Sequence, residues 1–151
     1  MIPNTANLTA LFRECKRMYF TENLKTPKIM TFQSKVILAQ VSYGEKKYKN
    51  NVSKRIIIFF SDLFDYPEDF LRNVMVHEMI HYYIHLHQIE DDDLHGSVFM
   101  KMANEMNEKY GLNIEQTFDA SPYYIGSDKT SLLDWVGTWL LRAFIPKRRS
   151  G

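Results

Sequence analysis

All five histidines of this 151-residue chain lie in one stretch, VMVHEMIHYYIHLHQIEDDDLHGSVF, residues 74–99. Its first part spells H-E-x-x-H, as His77-Glu78-Met79-Ile80-His81. On a helix, residues four apart stack on one side about 6 Å apart along the axis, so two such imidazoles can reach one ion. Zinc takes neutral histidine nitrogens at about 2.0–2.1 Å, and a catalytic zinc site draws three ligands from protein and leaves one position for water. Zinc lowers the pKa of that water towards about 7, and a carboxylate within hydrogen-bond reach can take its proton during attack on a carbonyl carbon. Glu78 stands where that base belongs, beside a ligand and not itself on the metal. The pattern therefore predicts His77 and His81 as metal ligands and Glu78 as the catalytic group.

A third ligand must come from elsewhere, and there are three candidates. His87 lies ten residues after His77, as in the longer H-E-x-x-H-x-x-G-x-x-H pattern, but Ile84 stands where that pattern has glycine. A β-branched residue enters the positive-φ region only at considerable cost, so the helix is expected to continue and carry His87 about 15 Å along the axis from His77. Glu105 could project from a second helix, yet it falls off the face formed by Phe99, Met102 and Met106. His95, just before Gly96 at the head of that helix, can swing back over the first one. We expect His95 to be the third ligand of one Zn2+ per chain.

These side chains need elements to hold them. NLTALFRECKRMYF spaces Leu8, Leu11, Phe12, Cys15 and Tyr19 as one face of a first helix, with Asn7 as its expected N-cap. PKIMTFQ, KVILAQVSY and KRIIIFFS read as three strands, the last two joined as a long-looped hairpin through GEKKYKNN. The run Ile56 to Phe60 is apolar without alternation, which predicts cover on both faces. Asp65 as N-cap, Pro67 in the first turn and Glu68 at the capping-box position predict a helix running to about Gln88. Along it Phe70, Val74, His77, His81 and Ile84 share one face. A further helix, 96–110, aligns Phe99, Met102, Met106 and Tyr110, with Gly111 as its C-cap. Residues 117–130 read as an ordered loop, followed by a helix with Leu132, Trp135, Val136, Trp139, Leu140 and Ala143 on one side.

Composition narrows the classes. Hydrophobic residues make up 45% of the chain, enough for the core of one domain, and 19 basic against 18 acidic residues leave a net charge of +1. With no global field, contact with DNA is expected to be at most weak and local, through the basic hairpin residues Lys46, Lys47, Lys49, Lys54 and Arg55 or the PKRR tail. The single cysteine, Cys15, excludes an internal disulfide and fits a reducing compartment. MIPNTANLTA lacks the basic and apolar regions of an export signal, and the apolar segment 131–145 carries Asp134 and Arg142 in fewer than the ~20 residues of a span. A cytoplasmic location without a membrane span is expected.

With VMVHEMIH, then HGSVF thirteen residues later, the helix MKMANEMN and the leading IIIFFSDLF, the chain resembles the SprT-like family of zinc metallopeptidases over roughly residues 8–114. That family includes bacterial SprT proteins and the Spartan proteases that degrade proteins crosslinked to DNA. The resemblance implies zinc on His77, His81 and His95, Glu78 as base and a polypeptide substrate. It implies a small zincin-like α+β domain: a three-stranded, mainly antiparallel sheet packed with an N-terminal helix, the H-E-x-x-H helix and a following helix. The expected division is a peptidase domain over 1–114, and over 115–151 a C-terminal loop and amphipathic helix with a basic tail. Cys15 alone cannot build the cysteine-rich zinc ribbon that many relatives carry.

Other residues leave alternatives open. Tyr82, Tyr83, Tyr123 and Tyr124 each offer a hydroxyl to a developing oxyanion, His85 could touch substrate, and Asp91 to Asp93 read as a solvated acidic loop. A non-proteolytic zinc-binding scaffold that binds nucleic acid or protein, or an interaction protein docking through the Trp135 and Trp139 helix, is the competing reading.

Overall fold

The computed structural model describes residues 1–126, apart from the side chains of residues 46–48, 52 and 53. The C-terminal helix and basic tail expected beyond residue 126 lie outside the described residues. In chain order the elements are α1 (Thr5–Tyr19), β1 (Lys28–Phe32), β2 (Ala39–Tyr48), β3 (Asn51–Ser61), α2 (Glu68–Leu86) and α3 (Ser97–Tyr110), then a short 3-10 turn at Ser121–Tyr123. This is the expected α+β domain. Its sheet has the order β1-β3-β2 and is mixed, with β2 antiparallel and β1 parallel to β3.

The apolar stripe read from α1 is the one that is buried: Leu8, Leu11, Phe12, Cys15 and Tyr19. Its cap differs from expectation. Asn4 is the N-cap, and Asn7 is its partner in a reciprocal capping box, each side chain accepting from the other's backbone N–H at 2.9 Å. At the head of α2 the expected cap, Asp65, instead takes the α-ammonium of Met1 at 2.6 Å, and Pro67 occupies the cap position without a side-chain hydrogen bond. Glu68 and Asp69 in the first turn supply the negative charge that the positive helix end favours.

The hairpin is tighter than its polarity suggests. GEKKYKNN is not a long loop: pairing continues from Ala39↔Phe60 to Tyr48↔Asn51, leaving Lys49 and Asn50 as a two-residue turn. Lys49 sits at φ 52, as such turns require, but without the glycine or asparagine that usually signals one there. Nor is β3 covered equally on both faces. Ile58 and Phe60, with Ile29 and Val41 beside them in register, point into the core, while Ile57 and Phe59 are half-buried on the other side.

α1 packs on β1 and α2, and α2 in turn packs on β2 and α3. The histidine-bearing helix is thus wedged between the sheet edge and α3, with Leu71, Val74, Met75, Val76, Met79 and Ile80 buried along it. It ends at Leu86, and Gln88 at φ 53 turns the chain away. No helix among the described residues is long and apolar enough to cross a membrane.

Candidate metal centre

α2 contributes His77, Glu78 and His81, and the loop entering α3 contributes His95. The Nε2 atoms of the three histidines form a triangle with all three edges 3.2 Å. His77 is buried, His81 and His95 half-buried. His77 Nδ1 lies 2.8 Å from the backbone carbonyl oxygen of Glu115, which can only accept, so Nδ1 carries the hydrogen and Nε2 presents a lone pair to the triangle.

The triangle tests whether a metal fits. A neutral Nε2 is either a donor or an acceptor, and three such atoms cannot be paired donor-to-acceptor along all three edges. One edge always sets like against like. A cation that takes a lone pair from each nitrogen removes the conflict. An edge of 3.2 Å also admits a point about 2.0–2.1 Å from all three corners, with angles of roughly 100° there, which suits tetrahedral zinc. The donor set and its spacing therefore fit, and among the described residues no other group of three His, Cys, Asp or Glu side chains is placed to hold a metal.

Burial keeps the three imidazoles neutral. It lowers the His77 pKa to about 3, helped by the neighbouring His95 and opposed by the Glu115 carbonyl. His81 is held well below the ordinary histidine value by burial and then by His77 and His95, and His95 is lowered by burial against the opposing charge of Asp93. Burial alone pushes the Glu78 carboxyl up to about 8 in the metal-free chain, a shift that a cation on the adjacent histidines would oppose.

Phe99 fixes the rings. Fully buried on α3, it contacts His77 and His95 edge-on at 4.9 and 4.8 Å and stacks on His81 at 4.6 Å. Sequence spacing placed Phe99 next to His95 but not against all three imidazoles. The acidic loop also departs from expectation. Asp91 and Asp92 are not merely solvated: their carboxylates accept from the Ser97, Val98 and Phe99 amides at 2.6, 3.0 and 2.8 Å, satisfying the open N–H groups that begin α3. The Ser97 N–H holds the Asp92 carboxyl below its ordinary value.

Gly96 makes room for this arrangement. A Cβ there would come 2.2 Å from Asp92 Oδ1 and 2.3 Å from Asp91 Oδ1. Gly96→Ala is expected to push both carboxylates off the helix end and cost about 1–2 kcal/mol in urea unfolding. An unchanged midpoint would show that the caps contribute nothing.

Neither of the other two candidates joins the triangle. His87 Nε2 lies 2.6 Å from Glu22 Oε2, and Glu105 is exposed on α3. Of the four tyrosines left open, Tyr82 donates to the Lys25 carbonyl at 2.8 Å, Tyr83 packs on Phe20 and His87, Tyr123 on Phe70, and Tyr124 on Phe64. Sequence reading passed over Tyr43. Its ring projects from the core face of β2 and stacks on His85 at 3.5 Å, and its hydroxyl donates to the His81 carbonyl at 3.3 Å. Burial, and then the charge of Glu78, hold its phenol pKa above the ordinary value, so it stays an O–H donor.

A family model described as the SprT-like family matches residues 8–118 of the chain. None of the curated proteins searched matches it.

Proposed function

The chain belongs to the SprT-like family, and on that premise we propose that it is a zinc-dependent metallopeptidase that hydrolyses peptide bonds in protein substrates. The observation that carries this reading is a buried carboxylate on Glu78, the residue next to His77, which is one of three histidines whose nitrogens converge on one point. A purely structural zinc site would take a fourth protein ligand and has no use for a base next to it.

When bound, zinc would supply Lewis acidity, polarising the scissile carbonyl and bringing a water's pKa towards about 7. His77, His81 and His95 would hold it. Glu78 takes the proton from the attacking water and passes it to the leaving amine, so it acts first as base and then as acid. Tyr43 lines the same side of α2 as Glu78, and by turning its hydroxyl away from the His81 carbonyl it would donate to the substrate's carbonyl oxygen as charge develops there, with His85 bracing its ring. β2 forms the sheet edge beside α2, and an extended polypeptide can pair along it. This favours flexible or unfolded protein over compact substrates.

The test is to incubate the zinc-loaded chain with casein. Fragments that disappear with a chelator and return on adding zinc are expected. Casein that stays intact at micromolar enzyme over hours would overturn the proposal.

A further inference from the structure

The His77 tautomer depends on a backbone carbonyl, and a carbonyl cannot fix its own position; something must hold it. The segment that carries it, residues 113–115, follows the left-handed cap of α3 at Gly111 (φ 67) and has no secondary structure of its own. It is nevertheless tied at every residue. Asn73 Oδ1, one turn before His77 on α2, accepts from the Asn113 N–H at 3.0 Å. Asn107, in the last turn of α3, grips Ile114 from both sides: its Oδ1 accepts from the Ile114 N–H at 2.7 Å and its Nδ2 donates to the Ile114 carbonyl at 3.0 Å. The Ile114 side chain is buried in the core. The next carbonyl, that of Glu115, receives His77 Nδ1–H at 2.8 Å.

We propose that Asn107 is a positioning residue of the metal centre, which sets the Glu115 carbonyl on His77 and thereby keeps the His77 Nε2 lone pair aimed at the ion. A side-chain amide suits the task because it both donates and accepts in a fixed plane, so it copies the pairing of a strand neighbour. Neither aspartate nor leucine can do both. The inference rests on His77 being a metal ligand, though not on peptide hydrolysis.

Outer partners of metal-bound histidines typically contribute ten- to a hundredfold in affinity. Asn107→Leu, which loses both bonds, is expected to weaken zinc binding by roughly that range, and Asn107→Asp, which keeps only the acceptor, by less. Affinity would be measured by competition with a chromophoric chelator. A second readout needs no metal: long-range 1H–15N NMR of the imidazoles, in which metal-free wild type should show His77 as the Nδ1–H tautomer alone and both variants a mixture. A merely structural role for Asn107 would lower the stability of metal-free and zinc-loaded protein alike and leave affinity and tautomer unchanged, and that result overturns the proposal. If Asn107→Leu fails to fold, Asn107→Asp decides by the same two readouts. Should wild type bind no zinc, the metal-site reading fails by itself, and the tautomer spectra still decide whether Asn107 governs His77.

Discussion

Glu78→Gln is expected to lower kcat on casein by roughly a thousandfold while zinc stays bound at one per chain, because glutamine keeps the shape and cannot take a proton. The same substitution should not destabilise the metal-free fold. Burial raises the Glu78 pKa from 4.5 to about 8, so between those values the folded state holds the extra proton and loses stability as the pH rises through that window. The glutamine amide carries no charge to bury, and the variant should lack that contribution when urea midpoints are compared between pH 5 and 8. A variant that keeps more than a tenth of wild-type turnover would show that the base lies elsewhere.

Stripping the metal has the next largest expected effect. At free zinc about a thousand times its Kd, binding adds about 4 kcal/mol to stability, which for a domain of this size is on the order of 10 °C in Tm. Chelation should remove that increment, and His95→Ala should remove most of it by weakening affinity more than roughly a hundredfold, beyond what an outer partner contributes. The metal-free chain should also be acid-sensitive. The folded His77 pKa, about 3, lies below its unfolded 6.5, so the unfolded state takes up the proton first and stability falls as the pH drops from 6.5 towards 3. Scanning calorimetry at pH 7 and 5, with and without chelator, reads both effects. An unchanged Tm on chelation would remove the metal from the account of stability.

How much of this was legible in the residues follows from what each contact is made of. That His77, His81 and His95 come together was readable, because helical periodicity puts His77 and His81 on one face and the start of the next helix can return His95 to it. The buried stripe of α1 was readable for the same reason, whereas on α3 only Phe99 of the expected face is buried, Met102, Met106 and Tyr110 are half-buried, and Ala103, outside that face, is buried instead. Side chain to backbone contacts were not: the Glu115 carbonyl that orients His77 has no residue type to signal it, and Asn107 and Asn73 look like ordinary polar positions on two helices. Tyr43 meets α2 across 38 residues, which no local pattern encodes. The hairpin was misread because its outer half extends past β1, which pairs with β3 only from Ile57 to Ser61, so the exposed residues Glu45, Lys54 and Arg55 carry strand pairing without a core to face. Asp91 and Asp92 looked like a solvated run because their partners are the amides of α3, donors that every helix start possesses.

The central claim is a three-histidine zinc centre with a free carboxylate base, and metal content tests it most directly. Elemental analysis of purified wild type, His95→Ala and Glu78→Gln, each dialysed against the same limiting zinc, should return one zinc per chain in wild type and Glu78→Gln and a large loss in His95→Ala. No stoichiometric metal in wild type, or full retention without His95, would contradict it.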